Sequence, residues 1–131
     1  HPFYFGDMPH TWVGSEYINA VRSLFVYEMD DRLILGGGID EKWLSSEEGV
    51  SVEGMPTYYG KISYALNKEG DVLKIRVNGK AVSPPGGFVF MLPQPKKIKK
   101  VSLNGEKIKI SSVGDVSFYK IPAEMIVSYE N

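Results

Sequence analysis

Three features of the sequence predict a mainly β protein. From Val50 onward, apolar and polar residues alternate with a period of two in short runs. Each run is bounded by Gly, Pro, Asn or Asp. Between two of them stands Asn104-Gly105, a pair suited to the two-residue hairpin turn that needs positive φ at both central positions. This succession of short runs predicts an antiparallel β-sandwich, jelly-roll-like, with one N-terminal α-helix.

The helix is the first expected element. Gly14 and Ser15 supply its N-cap, and Tyr17, Ile18, Val21, Leu24 and Phe25 recur at helical spacing on one face, with Asn19 and Arg22 on the other. The pattern is expected to end near Glu28 to Asp31, where Met29-Asp30-Asp31 reads as a turn. Leu33 to Leu35 is a short apolar run that stops at Gly36-Gly37-Gly38, read as a turn or as backbone packed closely against a neighbour. That triplet lacks the Lys and Ser or Thr of a phosphate loop. Residues 40–48 predict one or two helical turns, capped by Asp40, with Trp43 and Leu44 facing inward.

Strands are expected at Val50 and Val52, then at 58–66, 72–77, 88–92, 98–103, 107–110, 116–119 and 125–129. Tyr58 and Tyr59 are expected to place one ring on each face of a strand. The basic run at 96–100 (KKIKK) reads as the solvent face of a strand, with a phosphate-binding patch as the less favoured alternative.

Composition narrows the function classes. The chain has 131 residues, enough to bury a core without covalent staples. Its net charge of −1 gives no electrostatic case for a nucleic-acid or membrane-surface partner. No apolar run approaches the roughly 20 residues of a membrane span. The absence of Cys excludes disulfides, thiolate metal sites and a Cys nucleophile. The histidines are His1 and His10, and Asp30, Asp31, Asp40 and Glu41 follow no calcium-loop spacing. No metal and no cofactor are therefore expected. The chain begins at His1 rather than Met, which is the expectation for a processed chain or a piece of a longer one.

The residues that carry chemical interest crowd into the segment 6–25. His10 is the side chain best suited to proton transfer near neutral pH, and Glu16 and Asp7 are nearby carboxylates. Trp12 offers a flat face for a sugar ring or an anchor for the core. His10 is equally suited to satisfying a backbone group in the turn before the helix. Trp43 and Tyr58 are further candidates for a carbohydrate-stacking surface.

The stretch MPHTWVGSEYINAVRSLF, with His10-Thr11-Trp12 as a His-x-Trp motif ahead of a helix, resembles the last helix of six-hairpin α/α-barrel glycoside hydrolases, the bacterial α-L-rhamnosidases and related families. PTYYGKISYALNKEGDVLKIRV resembles the C-terminal β-sandwich of those enzymes, with Thr57, Tyr59, Gly60, Gly70, Asp71, Leu73, Leu92 and Pro93 at the matching positions. The resemblance runs from about Gly6 to Gly105, and Glu16 has no counterpart in it. It implies two segments: 1–31, a loop and helix from the end of a catalytic barrel, and 32–131, an accessory β-sandwich.

The function it implies is that of a non-catalytic C-terminal domain that stabilises the barrel of a carbohydrate-active enzyme. Its partner would be that barrel, with His10 and Trp12 bordering the sugar pocket. Glycoside hydrolysis uses a pair of positioned carboxyl groups, and the sequence presents no convincing pair, so the chain by itself is not expected to be a glycosidase. The orphaned helix face (Ile18, Val21, Phe25) implies self-association or folding back onto the sandwich. Two other readings compete: a carbohydrate-binding module using exposed aromatics, among them Trp43 and Tyr58, and a small enzyme using His10 with Glu16 or Asp7.

Overall fold

The structure, a computed structural model, describes residues 25–39, 41–45 and 49–131. Among these residues, ten strands build two sheets. They are β1 (Val26–Met29), β2 (Arg32–Leu35), β3 (Val50–Thr57), β4 (Gly60–Glu69), β5 (Val72–Gly79), β6 (Phe88–Met91), β7 (Ile98–Leu103), β8 (Glu106–Ile108), β9 (Asp115–Phe118) and β10 (Ala123–Tyr129). One sheet has the order β1-β2-β6-β9, the other β3-β4-β5-β10-β7-β8. Every pairing is antiparallel except β2 with β6, which is parallel, so the smaller sheet is mixed.

The period-two pattern decides which side of each strand is buried. On β5, Leu73, Ile75 and Val77 are buried and the residues between them exposed; on β10, Ala123, Met125, Val127 and Tyr129 are buried. The smaller sheet contributes Leu33, Leu35, Phe88, Phe90, Val116 and Phe118 to the same core. Two sheets sharing one core make a β-sandwich. Full burial of a side chain the size of Phe90 contributes about 1.5–3 kcal/mol.

Two tyrosines cross this core and leave no polar atom stranded. Tyr64 on β4 donates its hydroxyl to the carbonyl of Phe25, just before β1, at 2.8 Å. Tyr129 on β10 donates to the carbonyl of Pro93, just beyond β6, at 2.6 Å. Each ties the larger sheet to a strand end of the smaller one. Among the described residues, no buried side-chain nitrogen or oxygen lacks a partner.

The expected N-terminal α-helix is not supported where the chain is described. Its expected C-terminal part, from Val26 to Met29, is strand, paired to β2 with Val26 opposite Leu35 and Met29 opposite Arg32. Asp30 and Asp31, with φ of 51° and 62°, form the two-residue turn. The physical reason lies in those aspartates, which tolerate the left-handed conformation and stand between two apolar runs. Positions 14–24 of the expected helix, Asp40 as its neighbour's cap, and the candidates Asp7, His10, Trp12 and Glu16 lie outside the described residues. The β1-β2 hairpin passes through position 31, where the sequence suggested a boundary.

Other expectations hold with smaller changes. The turn expected from residues 40–48 is a 3-10 helix, Glu41–Ser45, with Leu44 buried and Trp43 half-buried. Gly36, with φ of 77°, needs to be glycine for close packing, since a Cβ there would lie 2.6 Å from the Phe90 ring. Asn104 and Gly105, with φ of 50° and 87°, make the expected hairpin between β7 and β8. Tyr58 and Tyr59 correct the reading that put them on a strand: they form the turn between Thr57 and Gly60, held by the Thr57 hydroxyl, which donates to the Gly60 carbonyl and accepts from the Tyr59 amide.

Candidate interaction surfaces

Strand directions bring several turns to one end of the sandwich. The β1-β2 turn, the β3-β4 turn, the 80–87 loop, the Asn104-Gly105 turn and the residues after β9 all lie there. Hydrogen bonds join the first three. The Tyr58 amide donates to the Glu28 carboxylate at 3.1 Å, the Val82 amide to the Tyr59 carbonyl at 2.9 Å, and the Gly86 amide to the Asp31 carbonyl at 2.8 Å. Tyr119 follows β9 and lies against Gly87, where a Cβ would be 2.9 Å from its ring.

This end exposes large hydrophobic side chains beside charged turn residues, Asp30, Lys80 and Lys120 among them. Tyr58 is 86% exposed, Val82 65% and Tyr119 60%, and Tyr27 and Met29 are exposed on the adjoining edge strand β1. Among the described residues, three of the seven exposed large hydrophobic side chains gather at this end and two more lie on edge strand β1, while Val72 and Val113 lie elsewhere. Tyr58 and Tyr59 meet edge to face, centroids 5.2 Å apart at 86°, so they do not form a flat platform. Desolvation, and then the carboxylates of Asp31 and Glu28, raise the Tyr59 hydroxyl above its ordinary value.

Trp43 sits at the opposite end, in the segment leading into β3. Its ring lies 6.0 Å from that of Phe25, tilted at 38°, and it packs against the core. The structure thus separates Trp43 from Tyr58 by the length of the sandwich. Sequence reasoning picked Tyr58 but missed Val82, Tyr119 and Glu28. Nothing local marks those three; the pairing of distant strands gathers them.

A second feature is polar. The outward residues of β4 and β5 line a concavity of about 580 Å³, through the cross-strand pairs Ala65–Arg76, Asn67–Lys74 and Glu69–Val72. A further hollow of about 460 Å³ lies between β5 and β10, bordered by Arg76, Asn78, Asn104, Gly105, Pro122 and Glu124. Arg76 borders both, and its guanidinium is held by Glu124 at 2.9 Å. Among the described residues, no group of three or more His, Asp or Glu side chains is placed to hold a metal ion.

Comparison of the chain with protein-family models, with curated proteins and with solved structures gave no match.

Proposed function

We propose that this chain is a non-catalytic accessory β-sandwich of a carbohydrate-active enzyme, a glycoside hydrolase, that docks on its catalytic α/α barrel and stabilises it. The observation that carries this reading is the exposure of Tyr58, Val82 and Tyr119 at one end of the sandwich. Exposed large apolar side chains gathered at one end of a domain fit a contact site for another protein surface. The resemblance of its central hairpins to the C-terminal sandwich of the rhamnosidase-like enzymes supplies the partner's identity. Tyr58 and Tyr119 are large side chains that would be desolvated on docking, and tyrosine is enriched at such contacts.

The coding frame that contains this chain tests the reading first. A six-hairpin barrel with paired carboxylates on the N-terminal side, in the same frame, is the expected finding; a frame with no further domain sinks the proposal. In the longer polypeptide, Tyr58→Ala with Tyr119→Ala should lower the temperature at which aryl-glycosidase activity is lost.

A second reading, a carbohydrate-binding module, is favoured by the polar hollows on the larger sheet. A glycan-array screen of the chain beside Trp43→Ala and Tyr58→Ala separates an aromatic platform from a polar one. Retention that survives both substitutions points to the sheet face.

A further inference from the structure

The two sheets differ on their outer faces. On the larger sheet the outward positions of β5 and β10 include Lys74, Arg76 and Glu124, as a solvated face requires. On the smaller sheet, register sets Tyr27 beside Ile34, Ile34 beside Val89 and Val89 beside Ser117, a row across all four strands. Ile34 and Val89 alternate with Leu33, Leu35, Phe88 and Phe90, which pack in the core, so the row faces outward. Both should then stand in solvent. Instead Ile34 is 2% and Val89 1% exposed, and neither belongs to the core cluster.

An outward Ile or Val in mid-sheet is buried to that degree only under a covering layer. The burial is that of a single chain, so the cover comes from the same chain. The described segments outside the strands are engaged elsewhere. Ile39, Trp43 and Leu44 pack on the core, Val82, Val113 and Tyr119 stand in solvent, and the Pro93 carbonyl is tied to Tyr129 of the larger sheet. Outside the described residues stand 1–24, Asp40 and 46–48, and Asp40, Ser46, Glu47 and Glu48 are polar. Within 1–24, Tyr17, Ile18, Val21 and Leu24 are apolar at the spacing of one helix face. This stretch joins β1 through Phe25 alone, with no linker between. At helical rise, residues 15–24 would span about 15 Å. The path from β1 across β2 to β6 is about 10 Å.

We propose that residues 15–24 lie across the outer face of the smaller sheet, over Ile34 and Val89, and add a third layer to the sandwich. Ile18 and Val21 supply the apolar contact. Of the two fates open to this apolar stretch, folding back and self-association, the burial of Ile34 and Val89 selects the first. The proposal does not rest on the accessory-domain reading, and either can fail alone.

Spin labelling of the whole chain tests it. Ser117 is exposed at the β9 end of the row, and the chain has no Cys, so Ser117→Cys takes a single nitroxide. The amide NMR signals of residues 15–24 should lose most of their intensity. The same label at Lys74→Cys, on the outer face of the other sheet, should weaken them far less. In a mixture of spin-labelled chain and isotope-labelled chain without the nitroxide, these signals should keep their intensity. Loss in the mixture would assign the cover to a second copy. No loss from the Ser117 label, or equal loss from both labels, would put the segment elsewhere. Any of these results overturns the proposal. The double variant Ile18→Asp with Val21→Asp, its strands verified by circular dichroism, should speed amide exchange at Ile34 and Val89. Unchanged exchange in the folded variant would also overturn it, and the spin-label comparison decides alone if the variant does not fold.

Discussion

Tyr64 and Tyr58 show how the same residue type does opposite work in different settings. Tyr64 is buried, meets the Phe90 ring edge to face at 5.1 Å, and donates its hydroxyl to Phe25. Burial pushes that hydroxyl far above the ordinary tyrosine value, against a smaller lowering by the Gly36 backbone. A raised value in the folded state has a definite sign. Below about pH 10 the hydroxyl is neutral in both folded and unfolded chains, so its contribution is complete there. Above that, the unfolded chain ionises first and stability falls, by up to about 1.4 kcal/mol per pH unit. The Tyr64→Phe variant should lose about 1 kcal/mol near neutral pH, since the Phe25 carbonyl keeps the Gly36 amide as a donor. Its decline above pH 10 should also be shallower, as read by urea unfolding at several pH values. An equally steep decline would show that Tyr64 does not carry the effect.

The hairpins are where the elements are decided, and their turns differ in how much they tolerate. At Gly105, with φ of 87°, a Cβ would meet nothing within 4 Å. The cost of Gly105→Ala is then backbone conformation alone, about 1–2 kcal/mol. At Gly79, with φ of 132°, a Cβ would lie 2.5 Å from the Lys61 carbonyl oxygen. Gly79→Ala must move backbone as well, so scanning calorimetry should show a clearly larger loss than for Gly105→Ala. The short edge strand β8 presents another prediction. Lys107 on it and Lys109 just beyond it are exposed, and charge on an edge discourages pairing with a second chain. The double variant Lys107→Val with Lys109→Val should aggregate at concentrations where the native chain does not, as read by light scattering. If the variant stays dispersed, those lysines do not protect the edge.

For the molecule as a whole, the interior holds the two sheets together while the apolar end is free of that duty. Phe90 is fully buried between the sheets, and Phe90→Ala should cost about 3–5 kcal/mol in chemical denaturation. Tyr58, largely in solvent, should leave the melting temperature of the chain nearly unchanged on substitution by Ala. A large loss at Tyr58 would mean that the turn, rather than a docking partner, depends on its ring.

Much of the sandwich was legible in the sequence, because alternation is a local property: a strand with one face in the core writes a period of two directly into its residues. Residues 98–103 became β7 without change, and Asn104-Gly105 turned as its chemistry requires. The stretch after Phe25 was misread because Phe25 and the residues before it carry helical spacing, while the turn at Asp30 and Asp31 depends on pairing with β2. The parallel pairing of β2 with β6 was illegible for the same reason, since β6 begins more than fifty residues later. By itself, the sequence determined the β class, the inward face of most strands and the Asn104-Gly105 turn, all set by neighbours in the chain. Only the tertiary structure decided that Tyr58, Val82 and Tyr119 share one end, that Trp43 lies at the other, and that Arg76 pairs with Glu124. Those relations are distances between residues far apart in the chain, and strand pairing alone sets them.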